Sequence, residues 1–277
     1  MKILDNIKLI DLGIYVNDCL IFSDFHIGYE ESLNKKGILL PRFQFTEIIK
    51  RLDKIFLKVK KVDKIIVNGD LKHEFGKISE QEWRHTLKLL DYFSKYCNEV
   101  ILIKGNHDKH ISPIENKRKV KIVDYCIIEP IKKENANKKV SNKEKAIKKE
   151  TIIKKTLKID KKIISKNIKK SNILVMHGDK LPKKELLRGI STIIIGHEHP
   201  AVSIREGNRA ENFKSYLIGK WKRKNLIAQP SFNLVTKGTD ILKEKLLSPF
   251  LKRNLKDFEA VVVGDKLYNF GKIKELT

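Results

Sequence analysis

The sequence predicts an α/β layered fold with its functional residues at strand ends. Two observations predict it. Five short runs rich in Ile, Val and Leu read as buried strands, and each ends in a cluster of metal-binding residue types. Between the runs lie segments with helical spacing, and alternation of strands with helices gives layers. The runs are Cys19–Phe22, Ile65–Val67, Val100–Ile103, Ile173–Met176 and Thr192–Ile195. The clusters after them are Asp24-Phe25-His26, Gly69-Asp70, Gly105-Asn106-His107-Asp108, His177-Gly178-Asp179 and Gly196-His197-Glu198-His199. Open α/β sheets place their sites beyond the carboxyl ends of strands.

The elements follow in order. After the first cluster, Pro41 is expected to open a helix whose apolar residues are Phe45, Ile48, Ile49, Leu52, Ile55 and Phe56. Val62–Val67 is the next strand. Ser79-Glu80-Gln81-Glu82 is a capping box, and Trp83, Leu87 and Leu90 continue that helix on one face. Pro182 and Gly189 bracket a short helix before the last ligand strand. Ala260–Val263, Gly264-Asp265 and Leu267–Phe270 form a C-terminal hairpin. The ligand types span Asp24 to His199, so residues 1–277 are expected to be one catalytic domain, long enough for a substantial core. Ile131–Lys170 does not fit the pattern: it is low in complexity, Lys-rich and free of Pro and Gly, and reads as a solvated insertion.

Charge and cysteine usage narrow the setting. The net charge is +25, of which the insertion holds +12, leaving +13 on the other 237 residues. That balance suits a polyanionic partner such as DNA or RNA. The excess of Lys over Arg, with abundant Ile and Asn, is also what an AT-rich genome would write without functional demand. Cys19, Cys97 and Cys126 are odd in number and widely spaced, so a reduced, cytoplasmic setting is expected and a disulfide framework is not. No apolar h-region opens the chain, and no apolar stretch approaches the ~20 residues of a membrane span.

Singly, the clusters are weak. Gly-Asp after a strand is ordinary turn chemistry, and Gly-His-Glu-His could be a solvated loop. Gly-Asn-His-Asp says more, because a turn needs Gly and Asn but not His. Six of the eight histidines, His26, His73, His107, His177, His197 and His199, fall in or just after the clusters. Histidines spread for packing would not concentrate so. Carboxylates, imidazoles and one amide oxygen suit Mn, Fe or Zn better than Ca, and the absence of Cys from the clusters argues against a structural zinc site.

The order D-x-H, G-D, G-N-H-D, H and G-H-x-H resembles the calcineurin-like metallophosphoesterase superfamily. Within it, Asp70-Leu71-Lys72-His73 and Gln229-Pro230-Ser231-Phe232-Asn233 are most similar to the small SbcD-related phosphoesterases. The resemblance implies a two-sheet β-sandwich flanked by helices and a centre of two divalent metal ions, with Mn favoured over Fe or Zn. It implies that Asp24, His26 and His199 hold one ion, that Asn106, His177 and His197 hold the other, and that Asp70 bridges them. His107 would face the substrate with Asp108 orienting its ring, and His73 would contact the scissile phosphate. The implied reaction is hydrolysis of a phosphodiester by a water that the ion pair acidifies.

Three functions stay open from sequence: a nuclease-like phosphodiesterase acting on nucleic acid, an enzyme for small cyclic or nucleotide-derived phosphoesters, and a non-catalytic scaffold. The complete ligand set argues against the scaffold. Fewer than eighty residues follow His199, too few for the DNA-binding cap of the double-strand-break nucleases. Oligomeric state has no sequence signal.

Overall fold

The computed structural model describes residues 1–4, 6–76, 78–109, 111–118, 120–130 and 172–276. The expected Lys-rich insertion at 131–170 lies outside the described residues.

The chain opens as an antiparallel meander of β1 (Lys2–Leu4), β2 (Ile7–Ile10), β3 (Gly13–Val16) and β4 (Cys19–Phe22). Helices α1 (Tyr29–Lys35) and α2 (Gln44–Val59) lead to β5 (Val62–Asn68), which pairs parallel with β4. Helix α3 (Glu80–Phe93) leads to β6 (Cys97–Ile103), and α4 (Ser112–Arg118) to β7 (Lys121–Val123), both added in parallel. These seven strands form one sheet in chain order.

The second sheet is built from β8 (Tyr125–Ile128), β9 (Asn172–Met176), β10 (Ile190–Ile195), β11 (Pro200–Glu206), β12 (Arg209–Trp221), β13 (Lys224–Ala228) and β14 (Thr239–Asp240). Its order is β14-β11-β12-β13-β10-β9-β8. The expected C-terminal hairpin is present as β15 (Glu259–Val263) and β16 (Leu267–Lys272), with β15 joined to β12. Between β9 and β10 runs one turn of 3-10 helix at Lys184–Leu187.

The five apolar runs all lie in strands, and their continuity has a cause. Ile173, Val175 and Ile194 enter the core shared with the first sheet, α2 and α3. Their neighbours Leu174, Met176, Ile193 and Ile195 enter a second core on the other face, closed by Phe250, Leu251, Leu255 and Phe258. A strand buried on both faces has no polar side to show. Helices therefore cover the first sheet, while the outer face of the second is covered mainly by the irregular segment around 250–258.

Helix α2 starts later than Pro41 suggests. Its first turn is capped from a distance: the Glu30 carboxylate of α1 accepts the backbone N–H of Phe43 (2.9 Å) and of Gln44 (2.6 Å). A carboxylate at a helix N-terminus both fills orphan N–H groups and meets the helix dipole. Helix α3 starts as expected, with the Ser79–Glu82 capping box in place.

Candidate metal centre

Parallel pairing sets the strand ends level. Phe22 sits opposite Val67, Asn68 opposite Ile103, and Ile195 opposite Met176. The loops that follow are then zipped by backbone hydrogen bonds. Asp24 N–H donates to Gly69 O, His26 N–H to Asp70 O, and Gly196 N–H to His177 O. Five loops from two sheets thus meet at one rim.

The backbone there is strained. Asp24, His26, Asp70, His197 and His199 all have left-handed φ, between 46° and 64°. They are five of the eleven non-glycine residues with positive φ among the described residues. Each such residue costs about 1–3 kcal/mol and persists only where its surroundings over-determine it. The glycines before three of the clusters are required by crowding. A Cβ at Gly69 would run into the His177 ring, one at Gly105 into the Asp70 carboxylate, and one at Gly196 into Ser23 and Asp24.

Two groups of converging donors result: Asp24, His26, Asp70 and His199, and Asp70, His177 and His197. Asp70 belongs to both. In the first, His199 Nε2 lies 3.3 Å from Asp24 Oδ1, and His26 Nε2 lies 3.2 Å from His199 Nε2 and 3.7 Å from Asp70 Oδ2. In the second, His177 Nε2 lies 3.4 Å from Asp70 Oδ2, 3.2 Å from His197 Nδ1 and 3.0 Å from Asn106 Oδ1. The structure brings together all seven residues expected to hold metal. Ring nitrogens and carboxylate oxygens that converge from separate strands form a donor set that fits divalent ions.

Electrostatics point the same way. Burial alone would raise the Asp70 carboxyl, but the hydrogen bond and charge of His177, with His26 and His107 nearby, hold it below the usual range. Burial opposes a proton on His177, yet Asp70 and Asp24 draw one, pushing that imidazole up to about 9. Burial and His199 push His26 well down. The outer layer fixes the rings. Ser23 Oγ donates to Asp24 Oδ2 (2.5 Å) and to Asn68 O (3.0 Å), and Asn68 O also meets His177 Nδ1 at 3.3 Å. Such partners set tautomer and orientation.

His107 stands beside this centre. Its backbone N–H donates to Asp70 Oδ1 (2.9 Å), and its ring Nε2 lies 4.0 Å from Asp70 Oδ2. Asp108 does not orient the ring as the resemblance implied. The His107 Nδ1 pairs instead with the His73 carbonyl. The Asp108 carboxylate turns inward, accepting backbone N–H groups of Gly105 (3.0 Å) and Lys72 (3.4 Å). Burial and the charge of Asp70 push it up to about 6. Its part is to tie the Gly105–Asp108 turn to the strand end beside it.

His73 Nδ1 lies 3.3 Å from His26 Nδ1, so His26, His73 and His107 form a third group of converging donors. Burial and His107 push His73 down to about 4. The Glu82 carboxylate of the α3 capping box holds this loop by accepting the N–H of His73 (2.8 Å) and of Glu74 (2.9 Å).

Two neighbours had no sequence signal. Lys72 is fully buried, and its ammonium donates to the carbonyls of Glu74 and His107. Phe75, half exposed, stacks on the His107 ring at 3.7 Å between centroids. Both depend on contacts across loops, which local sequence cannot show. Glu198 is buried and accepts the backbone N–H groups of Leu247 and Ser248, so it staples the last cluster to the C-terminal segment.

Beyond Gly105 and His177 the rim opens into a cavity of about 1000 Å³ that Lys104, Lys109, Lys180 and Lys183 line. Among the described residues, no helix is long and apolar enough to cross a membrane.

Comparison with known proteins agrees with this geometry. The calcineurin-like phosphoesterase model matches residues 19–212, well over half of the chain. No curated protein matches by sequence. Among solved structures, the nuclease MPE of Pseudomonas putida is 15% identical and superposes with a TM-score of 0.57, covering 96% of this chain and 100% of that one. A protein of unknown function from Aquifex aeolicus is 19% identical, with a TM-score of 0.36 and coverage of 65% and 77%. Vacuolar protein sorting 29 from Cryptosporidium parvum is 13% identical, with a TM-score of 0.37 and coverage of 92% and 97%. At these identities the nuclease speaks to fold alone. The family match, the two-sheet architecture and the clustered donors agree: the chain belongs to the calcineurin-like phosphoesterase family.

Proposed function

We propose that this protein is a dinuclear metal-dependent phosphodiesterase that cuts nucleic acid. One observation carries the reading: Asp70 is shared by two donor groups that otherwise have no residue in common. Asp24, His26 and His199 would hold one ion, and Asn106, His177 and His197 the other. The mixed oxygen and imidazole donors suit Mn, Fe or Zn, and the family resemblance favours Mn among them. A bound pair would supply Lewis acidity, lowering the pKa of water and offsetting charge on the phosphate.

The chain's own groups complete the chemistry. With Nδ1–H given to the His73 carbonyl, His107 keeps Nε2 toward the centre. In the imidazolium form, which carries hydrogen on both ring nitrogens, that atom can hand its proton to the leaving oxygen and leave the neutral Nδ1–H ring, a service worth ~10²–10⁴ in rate. Lys72 and Phe75 restrain the His107 loop and ring, and the Glu82 carboxylate restrains the His73 backbone. His73 faces the same space and is read as a contact for the phosphate.

Polynucleotide is preferred over a small diester for two reasons. The cavity beside His177 is larger than a single phosphodiester needs, and four lysines line it. The test is a metal-dependent assay on single-stranded DNA, a cyclic nucleotide and bis-nitrophenyl phosphate. Lys109→Glu with Lys183→Glu should cut DNA turnover by roughly tenfold through lost phosphate contacts and leave bis-nitrophenyl phosphate within about twofold. Equal losses on both, or turnover of the cyclic nucleotide alone, would overturn the nucleic-acid reading. A Mn-loaded chain inert on all three would favour a scaffold.

A further inference from the structure

A second cavity, of about 310 Å³, shares no lining residue with the metal centre. Lys214 of β12 is 7% exposed at its floor, and Arg51 of α2 and Lys237 stand in its wall. The Lys214 ammonium makes one hydrogen bond, to Ser231 Oγ at 2.7 Å, and has no carboxylate partner among the described residues. An ammonium carries three donors, and burial of charge without a counter-charge is costly. Arg51 gives two of its N–H groups to Asp11 Oδ1, which leaves donors over. The one acid in the wall, Glu47, is exposed and paired with Lys50 at 2.8 Å. Burial, with the charges of Arg51 and Lys237 adding to it and that of Asp24 opposing, pushes Lys214 down to about 7.

We infer that this cavity binds a small phosphate-class oxyanion, inorganic phosphate or a phosphomonoester, on Lys214, Arg51 and Lys237. Such an anion supplies acceptors for the remaining ammonium hydrogens and a counter-charge beside Lys214, while Arg51 keeps Asp11 and Lys237 keeps Glu211, at 3.8 Å, on their other sides. The volume admits one such group and excludes a folded partner.

The site is tied to the metal centre through one stretch of chain. Ser231 and Lys237 belong to the segment between β13 and β14. In that segment Phe232 N–H donates to Ser23 O (2.7 Å) and Asn233 N–H to Asp24 O (3.0 Å), and at its end Thr239 N–H, the first of β14, donates to His199 O (2.9 Å). The wall residues Leu234, Thr236 and Lys237 therefore lie on the chain between Asn233 and Thr239, which hold the backbone of two residues of the first donor group. An occupant that orders the wall orders Asp24 and His199 with it.

The test titrates inorganic phosphate into the full-length, Mn-loaded protein by calorimetry at constant ionic strength. Two binding events are expected, one lost on adding excess chelator and the other lost in Lys214→Met. Met keeps the apolar stem, and the variant's melting temperature reports its folding. Lys237→Gln, at the exposed rim, should weaken the chelator-resistant event by roughly threefold or more, on the scale of a lost charge-assisted contact. In chelated wild type, phosphate should slow amide exchange at Phe232, Asn233 and Thr239, and in Lys214→Met it should not. Absence of a chelator-resistant event, or its survival in a folded Lys214→Met protein, overturns the site. Binding with unchanged exchange at those amides overturns the link. Neither outcome touches the dinuclear reading, which the chelator-sensitive event tests separately.

Discussion

Two groups of ionisable side chains flank the segment between β13 and β14, one largely buried and one set around the single buried Lys214, and they are opposites. The rim centre gathers carboxylates and imidazoles, and its atoms have several partners from different strands. The Lys214 cavity gathers cations, and its ammonium has one neutral partner. A buried charge pays for its desolvation through its neighbours. At the rim that role falls partly to other ligands and would be completed by divalent ions. In the cavity it falls to a lowered pKa, unless an anion is present. The same physics of burial thus points one site toward cations and the other toward anions.

Asp70 gives the largest break. If one carboxylate serves both donor groups, Asp70→Asn should reduce metal content from two ions per chain to one or fewer. Turnover should fall about 10³-fold or more, since the Lewis-acid contribution is worth several kcal/mol. Elemental analysis after Mn reconstitution checks the first part. Two ions retained in the variant would show that Asp70 is not shared.

His107 sharpens the comparison, because it touches the rim without belonging to either of the two Asp70 groups. His107→Ala should lower turnover about 10²-fold while leaving two ions bound, on the scale of a lost acid–base group. Loss of an ion would instead favour the third convergence, of His26, His73 and His107, as a metal position.

The two sites also differ in how far the sequence foretold them. The rim was legible because its parts are local: each donor follows an apolar strand within a few residues, and parallel pairing does the rest. The strands themselves were legible because both faces are buried, so each run is apolar throughout. What escaped depends on distance in the chain. Asp108 sits next to His107 in sequence yet faces Gly105 and Lys72. The cap on α2 comes from Glu30, which Pro41 hides. The glycines read as turn formers, whereas Gly105 is needed because Asp70 passes against it. Lys214 is one lysine in a strongly basic chain, and only its burial sets it apart.

Stability against pH tests the cavity without any ligand. Lys214 titrates near 7 when folded, against 10.5 as the ordinary value. Between those values the unfolded chain binds the proton and the folded chain does not. Stability from this group therefore rises with pH across that window and is lowest below about 7. Thermal melts of wild type and Lys214→Met should differ most at pH 6, with the variant more stable, and the difference should narrow steadily as pH rises from about 7 toward 10.5. Parallel curves across that range would mean that the ammonium is compensated in the folded chain.

The smallest effect is expected from the Lys-rich segment at 131–170, a rival source of anion affinity. Its flanks, Pro130 and Asn172, lie at the end of β8 and β9 away from the rim, because Tyr125 pairs with Met176 and Ile128 with Ile173. Asn172 is thus five residues of strand, about 16 Å, from His177. An exposed run of lysines would bind polyanions by releasing their counterions, with a steep salt dependence and little preference for phosphate over other anions. The Lys214 cavity would instead bind one phosphate-sized group. Deleting 131–170 should change turnover of bis-nitrophenyl phosphate by less than about threefold, since none of the residues expected to hold metal belongs to it. It should leave the chelator-resistant phosphate event in place and flatten the salt dependence of DNA binding. If that phosphate event disappears with the segment while Lys214 remains, the positive charge that matters is in the lysine run, and the contrast between the two buried sites fails.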